Sequence, residues 1–84
     1  MFYVYILQSQ KNNRLYTGST NDLARRLKEH NSGTSKYTKL TKPFKLLYEE
    51  KLSTRSGALK RERFFKSGIG REWIKKNVQN NKGG

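Results

Sequence analysis

Residues 2–7 read Phe-Tyr-Val-Tyr-Ile-Leu, a run interrupted by nothing more polar than two phenol hydroxyls. A stretch so short, unbroken and rich in β-branched and aromatic residues suits a strand covered on both faces. Alternation sends Phe2, Val4 and Ile6 one way and Tyr3, Tyr5 and Leu7 the other. Lys11, Asn12 and Asn13 mark a turn. Arg14 to Gly18 then reads as a second strand, which predicts an antiparallel hairpin. From there the apolar period lengthens. Ser19, Thr20, Asn21 and Asp22 form a helix-start cluster, with Ser19 and Asp22 spaced as a capping box. The helix is expected to run to about His30, where Asn31-Ser32-Gly33 stops it. Leu23, Leu27 and His30 make its apolar stripe, and Arg26 lies beside it one turn before His30.

Residues 31–43 are polar and basic, with Lys36, Lys39 and Lys42 at a spacing of three, and fit a solvent-facing loop or short helix ended by Pro43. Phe44 to Leu52 alternates as a third strand, placing Phe44, Leu46 and Tyr48 on one face and Leu47 and Glu49 on the other. Thr54 or Ser53 caps a second helix over 55–66, closed by Ser67-Gly68, and Arg71 to about Val78 forms a last helix carrying Trp73 and Ile74. The pattern predicts an α+β domain over residues 1–79, a three-stranded antiparallel sheet flanked by helices, followed by a frayed tail over 80–84.

Composition narrows what such a domain can do. Of 84 residues, 19 are Lys or Arg and 6 are Asp or Glu, a formal charge of +13. Charge of this size on so small a body points to a polyanionic partner, with nucleic acid the leading candidate. The absence of Cys removes disulfides, thiolate metal sites and cysteine nucleophiles. No apolar run approaches the ~20 residues of a membrane span, and the opening residues lack the basic lead of a signal peptide. No membrane partner and a cytoplasmic location are therefore expected.

The acids are Asp22, Glu29, Glu49, Glu50, Glu62 and Glu72. Asp22 looks committed to a helix start, and Glu49 and Glu50, as strand neighbours, face opposite sides. A site built from several converging carboxylates is thereby disfavoured, and one divalent ion on one carboxylate is the most the chain can offer. Glu62 breaks the helical pattern, falling between Ala58, Leu59 and Phe65 on the apolar face. A carboxylate there must be paired, protonated or bound to metal; an ion pair with one of the many cations is an equally good account. His30, the single His, would by itself be a capping or packing residue more often than a catalyst. The tyrosines taken singly are core or rim aromatics.

Taken in order, the features are harder to dismiss. Tyr3-Val4-Tyr5 on the first strand, Tyr16-Thr17-Gly18 ending the second, Arg26 ten residues after Tyr16, His30 one turn on, and Ala58-Leu59-Lys60-Arg61-Glu62 in the second helix resemble the GIY-YIG nuclease superfamily. The likeness is to small stand-alone bacterial members related to the nuclease module of excision repair, and spans residues 2 to about 76. Tyr3 stands where the first signature has glycine, and Ser19 where some relatives carry lysine; Asn77 is the candidate for a late polar residue of the family. The resemblance implies a metal-dependent endonuclease of low sequence specificity. It implies Tyr5, Tyr16, Arg26, His30 and Glu62 as catalytic residues, with Tyr5 favoured over Tyr16 as the base. Glu62 would hold one Mg²⁺ or Mn²⁺ ion, and Arg26 would clamp phosphoryl oxygens through its planar fork. Arg25, Lys36, Lys39, Lys42, Lys66 and Arg71 would track flanking phosphates. The competing expectation is a non-catalytic basic module, either a repair accessory or an RNA- or ribosome-associated protein, with a protein partner supplying targeting.

Overall fold

The computed structural model describes residues 1–32 and 40–79. Three strands, β1 (Phe2–Ser9), β2 (Leu15–Thr20) and β3 (Phe44–Leu52), form an antiparallel sheet in the order β2-β1-β3. Among the described residues they are accompanied by helices α1 (Leu23–Ser32), α2 (Arg55–Lys66) and α3 (Gly68–Ile74), the last running on into a π-helical turn over Lys75–Gln79. The α+β architecture expected from the sequence is the observed one. The expected tail over 80–84 lies outside the described residues, as do Lys36 and Lys39.

The unbroken apolar character of β1 follows from its central position. Val4 and Ile6 are fully buried with Ala58 and Phe65 of α2 and Ile74 of α3, while Tyr5 and Leu7 on the opposite face pack with Phe44 and, from α1, Leu23 and Leu27. The sheet is thus the middle layer of three. β3 departs from simple alternation. Ile6 pairs with Tyr48 but Leu7 pairs with Leu46, so Leu47 is an extra residue in the ladder. The bulge reverses the facing of everything beyond it: Phe44 and Leu46 join the Tyr5–Leu7 side, whereas Tyr48 packs on the Val4–Ile6 side. The expected common face for Phe44, Leu46 and Tyr48 is therefore corrected.

Local chemistry sets the element ends. In the β1–β2 turn Asn13 adopts φ 62°, a left-handed conformation that Asn tolerates. The buried Ser9 hydroxyl accepts from the amides of Lys11 and Asn12 and donates to the Thr41 carbonyl. At the start of α1 the expected capping box does not form. Asp22 alone caps, its Oδ1 accepting from the Arg25 amide at 3.1 Å, and Ser19 stays within β2. Thr54 caps α2 by accepting from Gly57 N at 3.0 Å. Ser67 serves two helices, donating to the Phe64 carbonyl at the end of α2 and accepting from Gly70 N at the start of α3. A Cβ on Gly70 would overlap the Phe64 carbonyl group, so this close elbow requires glycine. With Ser67 as its cap, α3 begins at Gly68 rather than near Arg71 as the sequence suggested. Leu59, expected on the apolar face of α2, is 42% exposed.

Candidate active site

β2 is an edge strand, and the layers on the two faces of the sheet meet beyond its edge in an open cleft of about 1060 Å³. Tyr5, Tyr16, Arg26, His30 and Glu62 all line it. Four elements bring them there: the inner strand, the edge strand and a helix on each face.

Tyr5 sits on central β1 opposite Gly18 of β2. Its ring lies across that glycine so closely that a Cβ at position 18 would stand 2.7 Å from the ring Cζ and 3.3 Å from Cε1, and would overlap the phenol oxygen. The glycine of Tyr16-Thr17-Gly18 is thus required for space; the ring of Tyr5 occupies the room its side chain would take. Although Tyr5 is only 3% exposed, its hydroxyl reaches the cleft and accepts a hydrogen bond from Arg26 Nε at 3.3 Å. Arg26 also meets Glu29 at 3.4 Å along α1. The bond to Tyr5 is the main reason that the guanidinium is held above its already high ordinary pKa, so Arg26 is a permanent cation. Its Nε is committed to the phenol and its Nη1 to Glu29.

His30, one turn further on, sits edge-on to both Tyr5 and Phe44, with ring centroids 6.2 and 5.5 Å away. Both ring nitrogens are buried and have no hydrogen-bond partner among the described residues. Burial first, and the Arg26 charge second, push its pKa below the ordinary value, so the imidazole is neutral at pH 7. Tyr16 packs edge-on against Phe44 at 5.2 Å on the same side.

Glu62 arrives from α2 on the opposite face of the sheet. Its Oε1 accepts from the Ser19 hydroxyl at 2.8 Å, and its Oε2 pairs with Lys66 Nζ at 2.8 Å. The Ser19 that failed to cap α1 therefore ties the edge strand to the acid. Burial works against the charge on Glu62, but Lys66 and Ser19 outweigh it and hold the carboxyl below the usual carboxylate range. An ionised carboxylate that already carries an ammonium cation on one oxygen is a hard-oxygen site of the kind a divalent ion takes. Among the described residues no group of three or more acids and histidines could enclose an ion, so such an ion would be held by Glu62, water and a bound phosphate.

Lys66 and Arg71 line the cleft, as do Arg14 and Lys75, which the sequence reading passed over. Both carried a signal: Arg14 precedes Tyr16 by the two residues that share a strand face, and Lys75 follows Arg71 by one helical turn. Five Lys and Arg side chains against Glu62 and Glu72 make the cleft net positive. Arg25 and Lys42 are exposed but do not line it. Asn77, the late polar candidate, does not line it either; its amide donates to the Trp73 carbonyl.

A cleft at a hairpin edge with this ordered residue set defines a class, and residues 1–79 match the GIY-YIG catalytic domain: the chain belongs to the GIY-YIG family. Within the family it is similar to the UPF0213 protein SSP2268 of Staphylococcus saprophyticus, 46% identical over 61 residues covering 71% of this chain and 73% of that one. It is also similar to a UPF0213 protein of Syntrophus aciditrophicus, 50% identical over 62 residues covering 71% and 70%. Among solved structures it is similar to the solution NMR structure of the UPF0213 protein BH0048 from Bacillus halodurans, with a TM-score of 0.54 and 36% identity over 88% of this chain and 82% of that one.

Proposed function

We propose that the protein is an endonuclease that hydrolyses phosphodiester bonds of nucleic acid, DNA first, with the help of one divalent ion. The observation that carries this reading is the convergence, in one positive cleft, of Tyr5, Arg26 and an ionised Glu62 drawn from opposite faces of the sheet.

Hydrolysis needs a proton acceptor for water, counter-charge for the phosphoryl oxygens and help for the departing alkoxide. Tyr5, as phenolate, takes the proton of the attacking water. The new P–O bond forms as the ester P–O bond breaks, and the leaving oxygen picks up a proton from solvent. Arg26 keeps its Nε on Tyr5 and turns its terminal nitrogens from Glu29 to the non-bridging oxygens, so that one side chain aligns base and phosphate. Tyr16 positions water or phosphate beside Tyr5. A turn of the neutral His30 ring into the cleft would let one N–H donate to a phosphate oxygen, supplying the partner that its buried nitrogens lack. Glu62 would hold Mg²⁺ or Mn²⁺, which would supply charge stabilisation for the phosphodiester. Arg14, Lys66, Arg71 and Lys75 bind flanking phosphates without reading bases.

The competing reading, a basic binding module, draws on the fact that Glu62 already has a partner at each oxygen. Plasmid nicking separates the two. The parent should nick with Mg²⁺ or Mn²⁺ and stop on adding EDTA. Arg26→Ala and Glu62→Ala should each lose at least about 100-fold in rate, the scale of a lost transition-state contact, while keeping most of the affinity. Parent-like cutting by either variant overturns the assignment, and retention of nucleic acid without any divalent-dependent nicking leaves the binding module.

A further inference from the structure

The two oxygens of Glu62 are held differently. Oε1 is bound by the Ser19 hydroxyl, a short side chain fixed in the edge strand; Oε2 is bound by Lys66, whose side chain is 57% exposed on a flexible four-carbon stem. One contact fixes the direction of the carboxylate, and the other can swing away without disturbing it. Lys66 also lines the cleft with Arg14, Arg26, Arg71 and Lys75, where a polyanion would gather. A divalent ion approaching the free protein meets an ammonium group already on the oxygen it needs, inside a cleft that is net positive. A phosphate entering the same cleft offers that ammonium a second partner.

We infer that Lys66 is an internal counter-ion of Glu62 which nucleic-acid phosphate draws away, so that divalent-ion binding and nucleic-acid binding are coupled through this one side chain. In the free protein Lys66 occupies Oε2 and weakens ion binding. In the complex Lys66 pairs with phosphate, Oε2 is released, and Ser19 keeps the carboxylate aimed. Linkage makes the effect mutual: the factor by which nucleic acid tightens ion binding is the factor by which the ion tightens nucleic-acid binding. This inference rests on the reading of Glu62 as the ion's ligand.

The test is Mn²⁺ titration followed by electron paramagnetic resonance, with and without a short DNA duplex. A Tyr5→Phe background, shared by every protein compared, removes the proposed base and so slows cleavage, and duplex integrity is checked on a gel. Lys66→Met should bind Mn²⁺ about fivefold more tightly than the parent without DNA, since a like charge beside the ion is removed. With DNA the two should bind Mn²⁺ about equally, so the coupling factor shrinks in the variant. The salt dependence of DNA binding should lose about one phosphate's worth of slope. Lys66→Gln, an exposed polar replacement, should behave as Lys66→Met does. If Glu62→Gln abolishes Mn²⁺ binding but neither Lys66 variant changes affinity or coupling, the counter-ion role is refuted and the Glu62 site stands. If Glu62→Gln leaves Mn²⁺ binding unchanged, the ion does not sit on Glu62 and both readings fall.

Discussion

Gly18→Ala adds one methyl group in a place where the backbone would accept it and the neighbouring ring would not. The new Cβ would lie 2.7 Å from Tyr5 Cζ, far inside carbon–carbon contact distance, and 3.3 Å from Cε1. Tyr5 cannot simply step aside, since it is 3% exposed and packed with Leu7 and Phe44. Overpacking of this kind costs about 1–3 kcal/mol. Displacing the phenol also breaks its bond to Arg26, and a hydrogen bond to a charged group is worth about 1.5–3 kcal/mol. Solvent can replace that partner for the half-exposed guanidinium, so a total near 2 kcal/mol is expected, equal to a fall in Tm of about 8–16 °C for a domain of this size. Thermal and urea unfolding followed by circular dichroism measure it. A double-mutant cycle assigns the cause. In a Tyr5→Leu background, where the ring is gone, Gly18→Ala should cost less than about 0.5 kcal/mol. In a Tyr5→Phe background it should still cost most of its original value, because the Cζ contact remains. Equal penalties in the parent and Tyr5→Leu backgrounds would show that position 18 is glycine for some reason other than the ring, and would refute the argument.

Stability should decline as pH falls from 7 toward 5, because the folded chain holds His30 below its ordinary pKa while the unfolded chain binds the proton near ~6.5. His30→Phe should flatten that part of the profile, and an unchanged slope in the variant would contradict it. Arg61 grips Glu50 through Nε and Nη2 at 2.8 and 3.0 Å and lies over Phe64, Phe65 and Trp73, so Arg61→Met should cost about 2 kcal/mol in urea unfolding. Lys66→Met, which breaks only an exposed helical pair, should cost under about 0.5 kcal/mol. Affinity for DNA should fall steeply and log-linearly with salt, and Arg14→Gln with Lys75→Gln should reduce the slope by about two; a flat response would remove nucleic acid as the ligand.

Much of this was legible in the sequence where one residue type does one local job. The unbroken run in β1 announced burial on both faces, Thr54 and the Ser67-Gly68 pair marked the ends of α2, and Glu62 stood out as an acid on an apolar stripe. What stayed hidden depends on partners distant along the chain. The bulge at Leu47 leaves no trace in an alternating pattern, since one inserted residue changes facing without changing composition. Ser19 and Asp22 have capping-box spacing, yet a carboxylate 43 residues later competes for the serine and takes it. Leu59 looked like a core residue by helical angle, but the face of α2 that meets the sheet is set by Ala58 and Phe65. For the site, the tyrosines, arginine and acid were readable as an ordered set, whereas Arg14 and Lys75 become neighbours of the cleft only through the strand edge and the elbow at Gly70.

That Tyr5 and Arg26 belong to one side of the sheet and Glu62 to the other has a bearing on how the molecule fails. The two halves of the site are joined across the edge by the Ser19–Glu62 hydrogen bond. If either flanking helical layer peels away, the phenol and the carboxylate part company even while the hairpin between β1 and β2 survives. On the proposed nuclease reading, a partly unfolded chain would keep its positive charge while losing the paired groups that cleavage needs. On the same reading, damage or mild denaturation should abolish cleavage before it abolishes binding.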